Sequence, residues 1–183
     1  MKLTGKEDLR VQKTIISIKK AFEELLIEKD YLDITVTKLS KRAMINKKTF
    51  YSYYDNLDDI LKEMQEDISL KYLERTKGLN RIDDAAKITR EFFYFSNEQG
   101  KAYEKITCGG SYALDQIRSQ MIKKVADNTI PKPTLKEEMT FAFMRASTLE
   151  MYKFWVNGGK KIPLEEMIEM TISLICKGVD GTK

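Results

Sequence analysis

Apolar residues recur every three or four positions along most of this chain of 183 residues. That spacing places them on one face of an α-helix, and no segment shows the alternation that is typical of a β-strand. The pattern predicts an all-α protein of about nine helices. We expect the first helix to run from about Leu9 to near Lys29, with an apolar stripe formed by Val11, Ile15, Ile18, Phe22 and Leu25.

Residues 35–46 predict a short helix followed by a tight turn. Leu39 and Ala43 are four residues apart and therefore share the buried face of this helix. Either Thr35 or Thr37 can cap its start, because a hydroxyl oxygen accepts a hydrogen bond from an unpaired backbone amide of the first turn. Met44-Ile45-Asn46 is the predicted turn, and Asn46 is a favourable cap for a second helix.

Residues 47–54 predict that second helix, in which Phe50 and Tyr54 face inward. The pair of helices has the pattern of a helix-turn-helix. Its outer and end surfaces then carry side chains suited to phosphate binding and base reading, namely Lys47, Lys48, Thr49, Tyr51, Ser52 and Tyr53.

Charge supports this interpretation. Residues 34–54 contain five basic residues and no acidic residue, whereas the net charge of the whole chain is only +4. Such a run can also be a solvated face without a partner. The interleaving of lysines with Thr, Tyr and Ser beside a paired-helix pattern favours DNA contact.

Caps and glycines divide the rest of the chain into further helices. Thr134 and Glu137 have the spacing of a capping box, which opens the longest helix. The helices are predicted from Asn56 to Gly78 or Asn80, from Asp83 or Asp84 to Gly100, over Tyr103 and Ile106 to Cys108, from Ser111 to Ala126, from Thr134 to Asn157 and from Pro163 to Lys177. We divide the chain into a head (residues 1–56), which binds DNA, and a body (residues 57–183), which serves regulation and dimerisation.

Several classes of protein are disfavoured by composition. The chain has no histidine, which excludes Ser-His or Cys-His catalysis, and no glycine-rich phosphate loop. The two cysteines, Cys108 and Cys176, form no metal motif. We find no signal peptide and no apolar run long enough to span a membrane. The sequence therefore predicts a cytoplasmic protein that is not an enzyme and uses no metal or cofactor.

Residues 34–61, about one sixth of the chain, resemble the TetR family of bacterial transcriptional regulators. Thr-Val-Thr-Lys-Leu-Ser stands where that family has its capped second helix, and Asn-Lys-Lys-Thr-Phe-Tyr-Ser-Tyr-Tyr where it has its recognition helix. Asp-Asp-Ile-Leu matches the start of its fourth helix. Residues 154–159 are similar to a subgroup that includes activators of dihydroxyacetone kinase operons.

The resemblance assigns roles to individual residues. It implies that Lys47, Lys48 and Thr49 contact base edges, that Thr37 joins them, and that Thr35, Tyr51 and Tyr53 hold phosphates. For Tyr51 the alternative is that the ring packs and only its hydroxyl reaches out.

Two residues depart from the family pattern. Met44 stands where glycine is usual, and a left-handed backbone would cost it roughly 1–2 kcal/mol, so the turn is expected to wind differently. Leu57 stands where a phosphate-binding lysine is usual, so that contact is expected to be lost or taken over by backbone amides.

The resemblance also implies a homodimer, formed through the last two helices, that reads a palindromic operator in double-stranded DNA. A small molecule or a protein co-regulator would modulate it. The candidate pocket residues are Phe92, Tyr103, Tyr112, Met121, Phe143 and Trp155, although an aromatic and methionine stripe at helical spacing is more often plain core. The alternative function is a helical interaction protein that regulates through a protein partner and has no small-molecule pocket.

Overall fold

The computed structural model describes residues 8–109 and 134–178. Within these ranges the chain forms helices and no strand, so the all-α prediction is confirmed. The eight α-helices are α1 (Leu9–Glu28), α2 (Val36–Arg42), α3 (Lys47–Tyr51), α4 (Leu57–Arg75), α5 (Ala85–Glu98), α6 (Lys101–Cys108), α7 (Leu135–Asn157) and α8 (Leu164–Lys177), with a 3₁₀ turn at Tyr31–Asp33. The helix predicted from Ser111 to Ala126 lies outside the described residues.

Helices α1 to α4 share one apolar core. The predicted stripe of α1 is buried at Ile15, Ile18, Phe22 and Leu25, none of which is more than 2% exposed. We call the following set of contacting side chains the head cluster: Ile18, Ala21, Phe22, Leu25, Leu26, Ile34, Leu39, Ala43, Phe50, Tyr54, Ile60, Leu61, Met64 and Ile106. The cluster takes in the first turns of α4 as well as α1–α3, so the start of α4 is held directly against the helix-turn-helix.

Helices α5, α7 and α8 pack on one another around a second core. We call it the body cluster, and it consists of Phe93, Tyr152, Trp155, Met167 and Ile168. The indole N–H of Trp155 donates to the backbone carbonyl of Ile162 at 2.9 Å, which ties the end of α7 to the loop before α8.

The short helix α6 connects the two cores. Ile106 is 2% exposed and packs into the head cluster, while Tyr103 and Cys108 pack against the body cluster. Helix α6 also lies against α1, so it contacts both the first helix of the head and the body cluster.

Most predicted helix ends are confirmed. Asn56 caps α4 by accepting from the Asp59 amide, and Thr134 and Glu137 form the complete capping box of α7. Two ends differ. Helix α4 stops at Arg75 and not at Gly78 or Asn80, because the Thr76 hydroxyl bonds back to the Tyr72 carbonyl and the chain tightens into a turn.

The second difference concerns Pro163, which occupies the cap position of α8 and not its first helical position. Its φ of −56° suits a helix, but its ψ of 148° is extended, so helical geometry starts one residue later at Leu164.

Among the helices of residues 8–109 and 134–178, none is long and apolar enough to cross a lipid bilayer.

Candidate nucleic-acid interface

Thr35 caps helix α2. Its backbone is extended and its hydroxyl oxygen accepts from the Lys38 amide at 3.2 Å, so Thr35 and not Thr37 fills the cap position. Thr37 lies exposed in the first turn. The Lys38 ammonium donates to the Asp33 carbonyl at 2.6 Å, which holds this lysine close to the start of the helix.

The turn between α2 and α3 corrects one expectation. Met44 has a φ of 55°, so the left-handed residue is present and the turn is not wound differently. The reason lies in the hydrogen bonds: the Ile45 amide donates to the Ser40 carbonyl at 3.0 Å, and the Met44 amide to Lys41 at 3.3 Å. This is the Schellman closure, which requires a left-handed residue at this position whatever its type.

Asn46 starts helix α3, as predicted. Its side-chain oxygen accepts from both the amide and the hydroxyl of Thr49, at 2.7 and 3.0 Å. Phe50 and Tyr54 point inward, with 0% and 3% exposure. The two hydrogen bonds of the Asn46 cap and the buried ring of Phe50 therefore fix the orientation of this five-residue helix.

The outer face of α3 carries the predicted contact residues. Lys47 and Lys48 are exposed, and neither makes an ion pair with any of the described residues. Tyr51 is 54% exposed, and its ring packs edge-to-face on Phe50 with centroids 5.3 Å apart. The ring packing agrees with the structural alternative for Tyr51, and its role as a phosphate contact stays a prediction.

Three further predicted contact residues are partly engaged within the protein. The Ser52 hydroxyl donates to the Lys48 carbonyl at 2.9 Å, which closes the last turn of α3. Tyr53 is half-buried against the head cluster. Thr49 is also half-buried, since its hydroxyl faces the Asn46 cap. All eight candidate DNA-binding residues therefore lie on or beside α2 and α3, and six of them, Lys47 and Lys48 included, are exposed.

One basic residue of the helix-turn-helix is neutralised. The Arg42 guanidinium contacts Glu28 at 2.8 Å and Glu24 at 3.3 Å. This hydrogen bonding lowers the pKa of the Glu28 carboxyl and raises that of Arg42. A count of charges within residues 34–54 misses the pairing because both carboxylates come from α1.

A partly buried cluster of charged side chains joins α1 to α4. The Lys19 ammonium is 3.0 Å from carboxylate oxygens of both Glu63 and Asp67. Burial lowers the pKa of Lys19, but the hydrogen bonds to these carboxylates outweigh it, so the net shift is upward. Burial also raises the pKa of the Tyr54 hydroxyl, which lies close to Glu63. These contacts hold α4 in place behind the recognition helix.

Sequence reasoning missed a groove beside the turn. It has a volume of about 500 Å³ and is lined by Asp8, Arg10, Lys13, Thr14, Ser17 and Ile45. Arg10, Lys13, Thr14 and Ser17 have the spacing of one helix face, which is the signal that identifies them.

In the body, three of the predicted pocket residues, Phe92, Tyr103 and Trp155, come together with Phe93. Phe92, Phe93, Tyr103 and Trp155 all belong to or pack against the body cluster, and the Tyr103 hydroxyl lies 3.1 Å from the Ser96 hydroxyl. Phe143 lies apart from them on α7 with 60% exposure. Tyr112 and Met121 lie outside the described residues. No group of residues within 8–109 and 134–178 is arranged to hold a metal ion.

Comparison with known proteins adds to this geometry. No protein-family model matches the chain. A helix-turn-helix-type transcriptional regulator of Bacillus subtilis, the uncharacterized YxbF, is 38% identical over 58 residues. That stretch makes up 31% of this chain and 15% of YxbF, so the match spans only a small part of that protein's length.

Solved structures resemble the chain over nearly its whole length. A TetR transcriptional regulator from Streptococcus agalactiae is 25% identical, with 91% of this chain and 95% of that chain covered and a TM-score of 0.62. A putative TetR-family regulator from Syntrophomonas wolfei is 21% identical, with 90% and 93% covered and a TM-score of 0.68. The chain has the TetR-family fold. The predicted resemblance is thereby confirmed at the level of the fold.

Another structure with this TetR-family fold is FadR from Bacillus subtilis, solved in complex with stearoyl-CoA. It is 18% identical, with 90% of this chain and 98% of that chain covered and a TM-score of 0.66. All three structures are of transcriptional regulators, a class of proteins without catalytic activity of their own. In the TetR-family arrangement, α2 and α3 are the helix-turn-helix and α4 follows it.

Proposed function

We propose that this chain is a TetR-like transcriptional regulator that binds a palindromic DNA operator as a homodimer. The observation that carries the proposal is the open cationic face of α3. Lys47 and Lys48 project from a helix that the buried Phe50 and the Asn46 cap hold in one orientation. Lysine donors on a fixed helix end suit the guanine O6 and N7 acceptors of the major groove.

The neighbouring residues take complementary roles in this proposal. Base edges would be contacted by Lys47, Lys48 and Thr49, with Thr37 beside them. Phosphates would be contacted by Thr35, Tyr51, Ser52 and Tyr53. The half-burial of Tyr53 and Thr49 supports a positioning role for the Tyr53 ring and the Thr49 methyl group.

The homodimer would form through α7 and α8. Helix α7 keeps large apolar side chains exposed in the single chain: Leu135 at 72%, Met139 at 65%, Phe143 at 60% and Phe154 at 75%. A second copy of the chain that packs on α7 and α8 would bury such side chains. The two heads would then lie about one helical turn of DNA apart, roughly 34–36 Å, or a multiple of it.

An effector or a protein partner would act through the connection between body and head. Coupling of about 1–3 kcal/mol changes affinity by roughly 5–150-fold. The acyl chain of the stearoyl-CoA bound to FadR is apolar, and the rings of Phe92, Tyr103 and Trp155 offer a matching apolar chemistry. A long-chain acyl compound is therefore the first class to test.

The second candidate is regulation through a protein partner without a small-molecule pocket. The mutual packing of the rings favours it, because Tyr152 lies 5.7 Å from Phe92 and 5.8 Å from Phe93 between centroids. Calorimetric titration with acyl-CoA compounds of increasing chain length separates the two candidates. Saturable binding that weakens DNA affinity supports an effector, and absence of binding supports a protein partner.

Selection of bound fragments from random duplex DNA tests the DNA-binding function. We expect a palindromic sequence and an affinity that falls steeply with salt. Lys48→Ala should lower the affinity by about 1–3 kcal/mol and relax specificity at one position of each half-site. Lys77→Ala is the matched control, because Lys77 is an exposed lysine in the turn after α4, outside the helix-turn-helix.

Failure to enrich any palindrome, or binding that is independent of salt, would refute the proposal.

Sedimentation gives a separate test of the homodimer. The expected mass is about twice the 21.3 kDa of the chain, and Phe154→Glu should shift it to that of one chain. If the wild type is monomeric in solution and still binds a palindrome cooperatively, α7 and α8 do not form the proposed dimer interface.

A further inference from the structure

The groove beside the turn is built from one face of α1 and the turn between α2 and α3. Arg10, Lys13, Thr14 and Ser17 form the first wall, and Ile45 forms the second. The Ser17 hydroxyl donates to the Ala43 carbonyl at 3.0 Å, which fastens α1 against the turn. The groove therefore has a fixed position next to the Asn46 cap and the lysines that follow it.

We propose that this groove seats a phosphate of the DNA backbone, with Arg10 and Lys13 as its cationic contacts. The inference rests on the proposed DNA-binding function and adds a contact on α1 to it. A helix end in the major groove has a phosphate backbone on either side of it. Ile45 is only two residues from Lys47, so the groove faces the region where one of these backbones must pass.

The charge of the groove fits an anion. The side chains of Arg10 and Lys13 are exposed, and neither is ion-paired with any residue in 8–109 or 134–178. The one opposing charge is Asp8, whose carboxylate accepts from the Arg10 amide at 2.7 Å and caps α1. Two cations against one engaged carboxylate leave a net positive groove of about 500 Å³.

The other side of the helix-turn-helix does not offer such a contact. A second groove, of about 340 Å³, lies at the start of α4, and its charged residues are Asp55 and Asp58. Leu57 is half-buried there and packs against the head cluster. The lysine expected from the family pattern is thus replaced by an acidic and apolar surface, whereas the groove on α1 is lined by two cationic side chains.

The dependence of DNA affinity on salt tests the inference, because each phosphate contact contributes about −0.9 to the slope of log affinity against log salt. Between 50 and 200 mM salt, a variant that lacks one contact should lose about 3.5-fold less affinity than wild type. We expect this from Lys13→Ala and from Arg10→Ala, measured by fluorescence anisotropy on the selected operator and on unrelated duplexes. Lys20→Ala, an exposed lysine further along α1, is the matched control.

Two conservative variants separate charge from structure. Lys13→Arg should keep the wild-type slope. Asp8→Asn should keep the α1 cap, since asparagine caps as well as aspartate, and should strengthen binding because it removes the opposing charge. Circular dichroism confirms that each variant keeps the helical content of the wild type.

The outcomes are distinguishable from those of the proposed function. If Lys13→Ala and Arg10→Ala keep the slope of Lys20→Ala while Lys48→Ala still loses affinity, the groove is not a phosphate site and the DNA-binding function stands. Weaker binding of Asp8→Asn would also overturn the inference. A wild type without salt-dependent DNA binding removes the proposed function and the groove together.

Discussion

Met44 is a site where a single substitution should stabilise the protein. Its φ of 55° is left-handed, which costs a residue with a Cβ about 1–2 kcal/mol. The side chain is 90% exposed, so its replacement removes almost no burial. Glycine has no Cβ and adopts this conformation freely, but it also gains entropy in the unfolded chain, which opposes the effect by about 0.4–1 kcal/mol.

The net expectation for Met44→Gly is a stabilisation of about 0.5–1 kcal/mol, the difference between these two contributions. For a chain of this length, 1 kcal/mol shifts the melting temperature by about 2–4 °C. We therefore expect a rise of about 1–4 °C in thermal unfolding followed by circular dichroism. Met44→Ala removes the same side chain and keeps the strained Cβ, so its melting temperature should stay near that of wild type.

Lys160 provides a contrast with the same backbone conformation. Its φ is 54°, but its ammonium lies 2.6 Å from Glu104, 3.0 Å from Asn97 and 4.9 Å from the Trp155 ring centroid. Lys160→Gly relieves the same strain and loses all three contacts, so it should lower the melting temperature. A decrease for Met44→Gly, or equal shifts for the two glycine variants, would refute the strain argument.

Three other substitutions test separate parts of the fold. Phe50→Ala removes a ring of 0% exposure from the inner side of the recognition helix. It should lower the free energy of unfolding by about 3–5 kcal/mol in chemical denaturation and abolish operator binding in a gel shift. Retained binding at full stability would contradict the role of Phe50 in positioning this helix. Thr134→Ala breaks the capping box with Glu137 and should cost about 0.5–2 kcal/mol, whereas Thr134→Ser should restore most of it. Glu28→Gln tests the pH dependence of stability. Arg42 lowers the pKa of the Glu28 carboxyl in the folded protein. The ion pair therefore stabilises the protein fully above the unfolded pKa of about 4.3, and this stabilisation is lost as the pH falls through the pKa of the folded state. Wild type and Glu28→Gln should therefore differ in urea midpoint at pH 7 and converge below pH 4, and a difference that persists at low pH would show another cause.

The helix-turn-helix was predictable because its determinants are local. Asn46 and Asn56 cap by bonding to amides three residues away, and the inward spacing of Phe50 and Tyr54 follows from helix geometry alone. The exposure of Lys47 and Lys48 follows from the same spacing. Within the described residues, the sequence was sufficient for the positions of nearly all the helices.

Long-range partners were not predictable. Arg42 has no acidic neighbour within residues 34–54. Its guanidinium pairs instead with Glu24 and Glu28 on α1, which precede it by 18 and 14 residues. The groove of Arg10 and Lys13 likewise exists only because α1 packs against the α2–α3 turn.

The conformation of Met44 depends on both the local sequence and the tertiary structure. The sequence correctly indicated the strain of a left-handed methionine, but hydrogen bonds to the Ser40 and Lys41 carbonyls, together with the burial of Ala43, decided that the strained conformation is adopted. The sequence by itself determined the helices, their caps and their inward faces, because these depend on contacts within a few residues. Only the tertiary structure decided which charges stay open and which backbone strain is accepted, because those depend on segments that meet in space and lie far apart along the chain.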